Sequence, residues 1–176
     1  YNVPDNLRIL SLEEFLDYTQ NRGDFKYIIE IKNGGEAGKE ALDILYNTLI
    51  ERDILDRVIF GTFNGEISEY ASENYPDLIR SASIKEVVEF YIAALLGRKG
   101  YEPPVKVLQV FYGKKYFKYG VNLATSRVIN YAHSHNMAIQ YWTINDEDEI
   151  RYLLSIGADG IMTDYVEKAF EIKKEY

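Results

Sequence analysis

The chain has 176 residues, 47% of them hydrophobic, and a formal net charge of −8 at pH 7. This length and composition predict one globular domain over residues 1–176 with a sizeable core, and they argue against a disordered chain. Because the chain is acidic and its lysines and arginines form no basic stripe, nucleic acid and anionic membrane surfaces are poor candidate partners. The absence of cysteine excludes disulfides and thiolate metal sites and leaves the redox compartment open.

Segments typical of helices and strands alternate along the chain. A capping box opens the first helix, since Ser11 is followed three residues later by Glu14. Helical patterns cover residues 11–21, 37–52, 66–74, 84–96, 125–135, 146–156 and 166–174. Strand patterns cover residues 27–32, 58–63, 78–80, 105–110, 138–145 and 159–163. The stretch 121–123 is typical of a weak strand or a loop, and the aromatic, lysine-rich stretch 111–120 of a loop. No transmembrane segment is predicted, because the longest apolar run, residues 87–96, is too short to span a bilayer.

This alternation predicts an α/β fold with right-handed crossovers and a parallel sheet. Two architectures fit the pattern. One is an open doubly wound sheet, which would be complete with six strands. The other is a TIM-type (β/α)8 barrel, which needs eight strands and about 250 residues, so this chain would supply about six of its β/α units.

The segment Tyr27-Ile28-Ile29-Glu30-Ile31-Lys32 places two charges at the end of a predicted strand. Because side chains alternate along a strand, Glu30 and Lys32 share one face. A glycine turn and a helix follow, which is how a β/α enzyme presents a carboxylate at its active-site rim. In that interpretation Glu30 is an oxygen ligand for a divalent cation, Mg²⁺ or Ca²⁺, and Lys32 binds phosphate. The alternative interpretation is a plain charge pair on an edge strand.

Three further strand ends carry candidate site residues, at 62–64, 142–145 and 163–165. In a parallel barrel all three would lie on the same rim as Glu30. Trp142, the sole tryptophan, would form an apolar wall for a small substrate or pack in the core. Asp164 is a candidate ligand, but it is better explained as the N-cap of the last helix.

The two histidines do not have the spacing of a metal site. His133 and His135 lie two residues apart near a helix end, so they face different directions. We expect helix-terminal or solvent-facing roles for both. The sequence also has no Walker or Rossmann phosphate loop and no Gly-x-Ser-x-Gly nucleophile elbow.

Taken in order, the rim motifs resemble those of the glycerophosphodiester phosphodiesterase family. The resemblance spans nearly the whole chain and is specific in combination, although each motif alone is weak. It rests on Leu10-Ser11-Leu12-Glu13-Glu14, Ile29-Glu30-Ile31-Lys32, Val58-Ile59-Phe60-Gly61-Thr62-Phe63, Ala132-His133, Trp142-Thr143-Ile144-Asn145-Asp146 and Gly157-Ala158-Asp159-Gly160-Ile161-Met162-Thr163-Asp164-Tyr165. One departure is Val166, where the family often has proline.

The resemblance implies a TIM barrel that hydrolyses glycerophosphodiesters to an alcohol and glycerol 3-phosphate with a divalent cation. By this likeness Glu30 matches a metal-binding glutamate, Lys32 a phosphate-contacting lysine and Trp142 the active-site tryptophan. We therefore expect Lys32 and Trp142 to act in catalysis, and Lys32, Phe63 and Trp142 to bind the small-molecule substrate.

The family also carries His-Arg and Glu-x-Asp on its first two strands, and soon afterwards a second histidine followed by aspartate, and this sequence has none of these motifs on a predicted strand. We therefore expect an N-terminally incomplete domain, completed by a longer parent chain or an N-terminal fragment, and expect little activity from these 176 residues alone. The alternative function is a catalytically incomplete module that binds phosphate or serves as a scaffold. Cytoplasmic location is only a default, since a secretion signal would precede Tyr1.

Overall fold

The computed structural model describes residues 8–112 and 121–176. Helices and strands alternate through this part of the chain. The strands are β1 (Tyr27–Glu30), β2 (Val58–Gly61), β3 (Val107–Phe111), β4 (Ala138–Trp142) and β5 (Gly160–Ile161). The helices are α1 (Leu12–Gln20), α2 (Gly35–Glu51), α3 (Gly65–Asn74), α4 (Ile84–Leu96), α5 (Ser126–Ser134), α6 (Glu147–Ser155) and α7 (Val166–Lys173), with a 3-10 turn at Leu55–Arg57.

All strand pairs are parallel and follow chain order. β1 pairs with β2, and β3 pairs with β4, which in turn pairs with β5. Residues 79–82 join the two groups, because the Ser81 N–H donates to Phe60 O at 2.8 Å and the Ala82 N–H donates to Val107 O at 2.9 Å. The result is one arc of neighbouring parallel segments, which is the arrangement found in part of a β/α barrel.

The arc has two edges. Within residues 8–112 and 121–176, β1 pairs only with β2 and β5 only with β4. The expected fold class is therefore confirmed as parallel α/β, while closure into a barrel is not seen in the described residues. None of the described helices is long and apolar enough to cross a membrane.

Two apolar clusters hold the helices on the strands. The first packs α1, α2 and α3 against β1 and β2 and is centred on Leu42, Leu49 and Phe60, which are almost fully buried. The second packs α4, α5 and α6 against β3 and β4 around Phe90, Ile139 and similar residues. Both clusters pack the helices on one face of the strands and so position the strand ends at the rim.

Local capping chemistry explains where the helices begin. Ser11 and Ser83 each form a complete capping box, with Glu14 and Glu86 respectively. The side chains of Asn64, Thr125 and Asp146 accept backbone N–H groups at the starts of α3, α5 and α6. These helices accordingly begin within one or two residues of the predicted positions.

Several predicted strands are shorter in the structure. Residues 78–80 form only an isolated bridge, residues 121–123 form no strand, and the last strand shrinks to Gly160–Ile161. Pairing nevertheless continues past the strand ends, since the Ile31 N–H donates to Gly61 O at 3.0 Å. Phe111 belongs to β3 and not to the predicted loop, of which residues 113–120 lie outside the described residues.

The prediction that Asp164 caps the last helix is wrong. Helix α7 follows Tyr165 and has no side-chain cap. Asp164 instead accepts a hydrogen bond from Asn145 Nδ2 at 2.8 Å. Asn145 Oδ1 in turn accepts from the hydroxyl of Thr163 at 3.0 Å, so this network ties the loop after β4 to the loop after β5.

Candidate active site

A cavity of about 360 Å³ opens at the carboxyl ends of the strands. It collects residues from the end of every strand segment of the arc. The four residues expected to form the site all line it, namely Glu30, Lys32, Phe63 and Trp142. The remaining lining residues are Ile28, Gly61, Thr62, Ser81, Ala82, Gln109, Thr143 and Met162.

The charged side of the cavity is the tip of β1. Glu30 and Lys32 point to one face, while Ile31 between them is buried in the helix-side core. The Lys32 ammonium lies 3.9 Å from a Glu30 carboxylate oxygen. The lysine side chain is 81% exposed, so this contact leaves its charge available to a ligand. The pair is thus both an ion pair and part of the cavity wall.

The opposite side of the cavity is aromatic. The Trp142 ring meets Phe63 edge-on, with centroids 5.7 Å apart, and meets Phe111 in the same manner at 6.4 Å. Such edge-to-face contacts stabilise a defined ring orientation. Trp142 is half-buried and faces the cavity, so its role is not only core packing. The peptide bond between Trp142 and Thr143 is cis.

The neighbours of Phe63 have structural roles. The Thr62 hydroxyl donates to Ile31 O at 2.8 Å and accepts from the Asn64 N–H at 3.1 Å. Asn64 Oδ1 then accepts the N–H groups of Glu66 and Ile67 at the start of α3. These bonds fix the loop after β2, and Phe63 at its tip projects into the cavity.

Sequence reasoning missed Gln109, which lies between the charged and aromatic sides. Its Nε2 donates to Gln140 Oε1 at 3.0 Å, so the two strands β3 and β4 hold the amide in place. A Cβ atom at Gly61 would lie 3.2 Å from Gln109 Oε1, so glycine there lets the amide approach the backbone closely. The signal in the sequence is a glutamine inside each of two otherwise apolar strands.

The donors for a metal ion are incomplete in the described ranges. No group of three His, Asp, Glu or Cys side chains in residues 8–112 and 121–176 is placed to hold a metal ion. Glu30 is the single carboxylate among the described cavity residues. The described cavity residues therefore supply one carboxylate to a divalent cation, whose other oxygen ligands would be further side chains, water or substrate phosphate.

The histidines lie away from the cavity, as expected. His133 Nε2 is 2.9 Å from Asp159 Oδ2, and that oxygen also accepts the Ile139 N–H at the start of β4. His135 caps the end of α5. Both histidines therefore lie near the amino ends of the strands, whereas Glu30 and Lys32 lie at the carboxyl ends.

Comparison with known proteins decides the family. The sequence model of the glycerophosphoryl diester phosphodiesterase family matches residues 2–168. The chain belongs to this family. A glycerophosphodiester phosphodiesterase of Bacillus altitudinis is 25% identical over 178 residues, which cover 99% of this chain and 66% of that protein.

Solved structures of glycerophosphodiester phosphodiesterases share the fold. The enzyme from Parabacteroides distasonis superposes with a TM-score of 0.70 at 18% identity, over 93% of this chain and 63% of that one. A phosphodiesterase of Oleispira antarctica, solved with its product sn-glycerol-3-phosphate, gives a TM-score of 0.63 at 16% identity, over 93% and 60%. The chain therefore spans about two thirds of the length of the relatives it matches.

Proposed function

We propose that this chain forms most of the catalytic barrel of an enzyme that hydrolyses glycerophosphodiesters to an alcohol and glycerol 3-phosphate. The observation that carries the proposal is the cavity that unites Glu30, Lys32, Phe63 and Trp142 at the strand ends of a family member. The product complex of the Oleispira antarctica relative supports a glycerol phosphate as ligand.

In the proposed reaction, water adds a hydroxyl group to phosphorus, and the bond from phosphorus to the alcohol oxygen breaks. The proton from water goes to the departing alcohol. Lys32 binds a phosphate oxygen, because its exposed ammonium lies at the cavity and is a point-charge donor. Phe63 and Trp142 form an apolar wall that orients the ester.

We further propose that Glu30 is one oxygen ligand of a divalent cation, Mg²⁺ or Ca²⁺. Such a cation supplies charge neutralisation at the phosphate when it is bound. The other ligands, and the groups that move protons, would come from outside the described residues, since no histidine is among the described residues that line the cavity.

Two further β/α units are the proposed source of those groups, from a longer parent chain or an N-terminal fragment. Among the residues that the structure describes, β1 and β5 are each paired on one side only, which supports this proposal, because unpaired edges of apolar strands favour pairing with another strand. The coverage of relatives supports it too, since the matching proteins are about half as long again.

The test is Glu30→Gln in the full-length protein. We expect an apparent affinity for the cation at least about tenfold weaker, both in titration calorimetry and in the cation dependence of turnover. Glu36→Gln is the control, since Glu36 is 92% exposed at the start of α2 and lies outside the cavity. Unchanged cation dependence in the Glu30 variant would refute its role as a ligand.

A second candidate function is a module that binds phosphate without turnover. It is favoured by the single carboxylate among the described residues of the cavity. Glycerol 3-phosphate binding by the full-length protein, with no hydrolysis of any glycerophosphodiester at any cation concentration, would establish this alternative.

A further inference from the structure

A second cavity, of about 260 Å³, lies behind the aromatic wall of the first. We call it the apolar groove. It runs between α4 and the ends of β3 and β4, and its lining residues on α4 are spaced for one helix face, namely Ile84, Val87, Val88 and Tyr91. Gln109 and Tyr91 are the sole hydrogen-bonding side chains, apart from the Trp142 indole, among its described lining residues.

The groove is continuous with the candidate active site. Phe63, Gln109 and Trp142 line both cavities, as does Ala82. A ligand whose phosphate lies at Lys32 therefore passes the Phe63 and Trp142 rings before its substituent reaches the groove. A single ligand would thus contact both cavities, with its charged phosphate at β1 and its apolar substituent at α4.

The groove is an open surface and not a packing gap of the core. Ile84 is 61% exposed and Val88 is 52% exposed, although both are aliphatic and lie side by side on α4. Exposed apolar surface next to a polar cavity is typical of a ligand-binding surface. The other side of α4 is well packed, since Phe90 and Ala94 are buried.

We propose that the apolar groove binds the alkyl chain of the alcohol in the ester, so that the preferred substrates are glycerophosphodiesters of apolar alcohols. This rests on the proposed function, because it assigns one half of the same substrate. The volume of about 260 Å³ suits a short alkyl chain and is too small for a peptide helix. Lys32 fixes the phosphate, and the groove then selects the alcohol.

The test is a series of glycerophosphoalkanols with methyl, butyl, hexyl and octyl alcohols, assayed with the full-length protein. Each methylene that enters the groove should raise kcat/KM by about fourfold, mainly through KM, until the groove is filled. The corresponding n-alkanols should inhibit competitively in the same order. Glycerophosphocholine supplies a charged alcohol for comparison and should be the poorer substrate.

Two variants separate the groove from the reaction centre. Ile84→Glu places a charge in the groove, and Val88→Thr replaces a methyl group by a hydroxyl of nearly equal size. Ile84→Glu should flatten the chain-length series and Val88→Thr should reduce its slope, and in both variants the loss of kcat/KM should be smallest for the methyl ester, whose alcohol is too short to reach the groove. Leu96→Glu is the matched control, because Leu96 is 64% exposed on the same helix but lies outside the groove.

The outcomes distinguish this proposal from the proposed function. No turnover of any member of the series would overturn both. Turnover of all members with equal kcat/KM would overturn the groove alone and leave the phosphodiesterase assignment intact. A chain-length dependence that persists unchanged in the Ile84 and Val88 variants would show that the alkyl chain binds elsewhere.

Discussion

At the scale of single residues, Lys32 shows how the backbone after a strand can position a charge for ligand binding. The backbone after β1 places the lysine at the cavity, while its side chain makes only a weak described ion pair, with Glu30 at 3.9 Å. An ammonium that is largely solvated contributes little to folding. It can nevertheless contribute substantially to binding an anion, where a charged hydrogen bond forms.

We therefore predict that Lys32→Met weakens binding of glycerol 3-phosphate by about tenfold or more, as expected for loss of a charged hydrogen bond. The free energy of unfolding should change by less than about 0.5 kcal/mol. Titration calorimetry and urea unfolding measure the two effects. Lys26→Met is the control, since Lys26 is also exposed but precedes the other end of β1. Equal binding by both variants would contradict the phosphate role of Lys32.

Site residues can be predicted from the sequence where they directly follow an apolar strand pattern. Glu30 and Lys32 stood out as charges after an apolar run, and Trp142 as the sole tryptophan at another strand end. Gln109 did not stand out, because its importance depends on Gln140 from the next strand and on the absence of a side chain at Gly61. Such contacts between strands are set by register, which a single segment does not reveal.

At the scale of secondary structure elements, helix starts were predicted well and strand ends poorly. A helix start depends on a few neighbouring residues, as with Ser83 and Glu86 at α4. A strand end depends on whether the neighbouring strand continues, so residues 78–80 form only an isolated bridge where the sequence predicts a strand. The predicted cap role of Asp164 fails for the same reason, since its hydrogen-bond partner Asn145 follows a different strand.

The start of α4 is tied to the sheet by the Arg80 guanidinium, which donates to both carboxylate oxygens of Glu86 at 2.7 and 2.8 Å. Both side chains are mostly buried, at 13% and 15% exposed. Burial alone would raise the pKa of Glu86, but the hydrogen bonds from Arg80 and from the Ser83 N–H outweigh it and lower that pKa. The charged form of Glu86 is therefore the one that the fold stabilises.

We predict that Glu86→Gln lowers the free energy of unfolding by about 1.5–3 kcal/mol at neutral pH. Because the folded-state pKa is below the unfolded one, the contribution of Glu86 is complete above the ordinary glutamate pKa of about 4.3 and is lost as the pH falls below it. The difference between wild type and variant should therefore shrink in acid. Urea unfolding between about pH 3 and pH 7 measures it.

The matched control for Glu86 is Glu89→Gln on the same helix. The Glu89 side chain is 52% exposed and lies 4.0 Å from Lys85, so its loss should cost less than about 0.5 kcal/mol. A difference between wild type and Glu86→Gln that does not change with pH would contradict the electrostatic origin of the effect. It would point to packing around the side chain instead.

At the scale of the whole molecule, the order of strands followed from the alternation of elements, because short crossovers place successive parallel strands side by side. Closure did not follow, since it depends on what covers the outer strands. Apolar side chains of both outer strand segments are partly exposed, with Ile28 of β1 at 46% and Phe170 of α7, which lies next to β5, at 61%. These edges are where the proposed additional β/α units would bind.

Amide hydrogen exchange tests the completion of the barrel at the edge of β1. Successive N–H groups along a strand point to opposite sides, and the Ile31 N–H donates to Gly61 O of β2. The Glu30 N–H therefore points away from β2, towards the side of β1 on which no described strand is paired. In the 176-residue chain we predict that the Glu30 amide exchanges at least about tenfold faster than the Ile31 amide. It should also exchange faster than the amides of β4, which is paired on both sides.

In the full-length protein, a strand bound at this edge should slow exchange of the Glu30 amide to a rate near that of Ile31, while exchange in β4 stays unchanged. If Glu30 remains unprotected in the full-length protein, no strand pairs with β1, and the missing ligands must reach the cavity in another way.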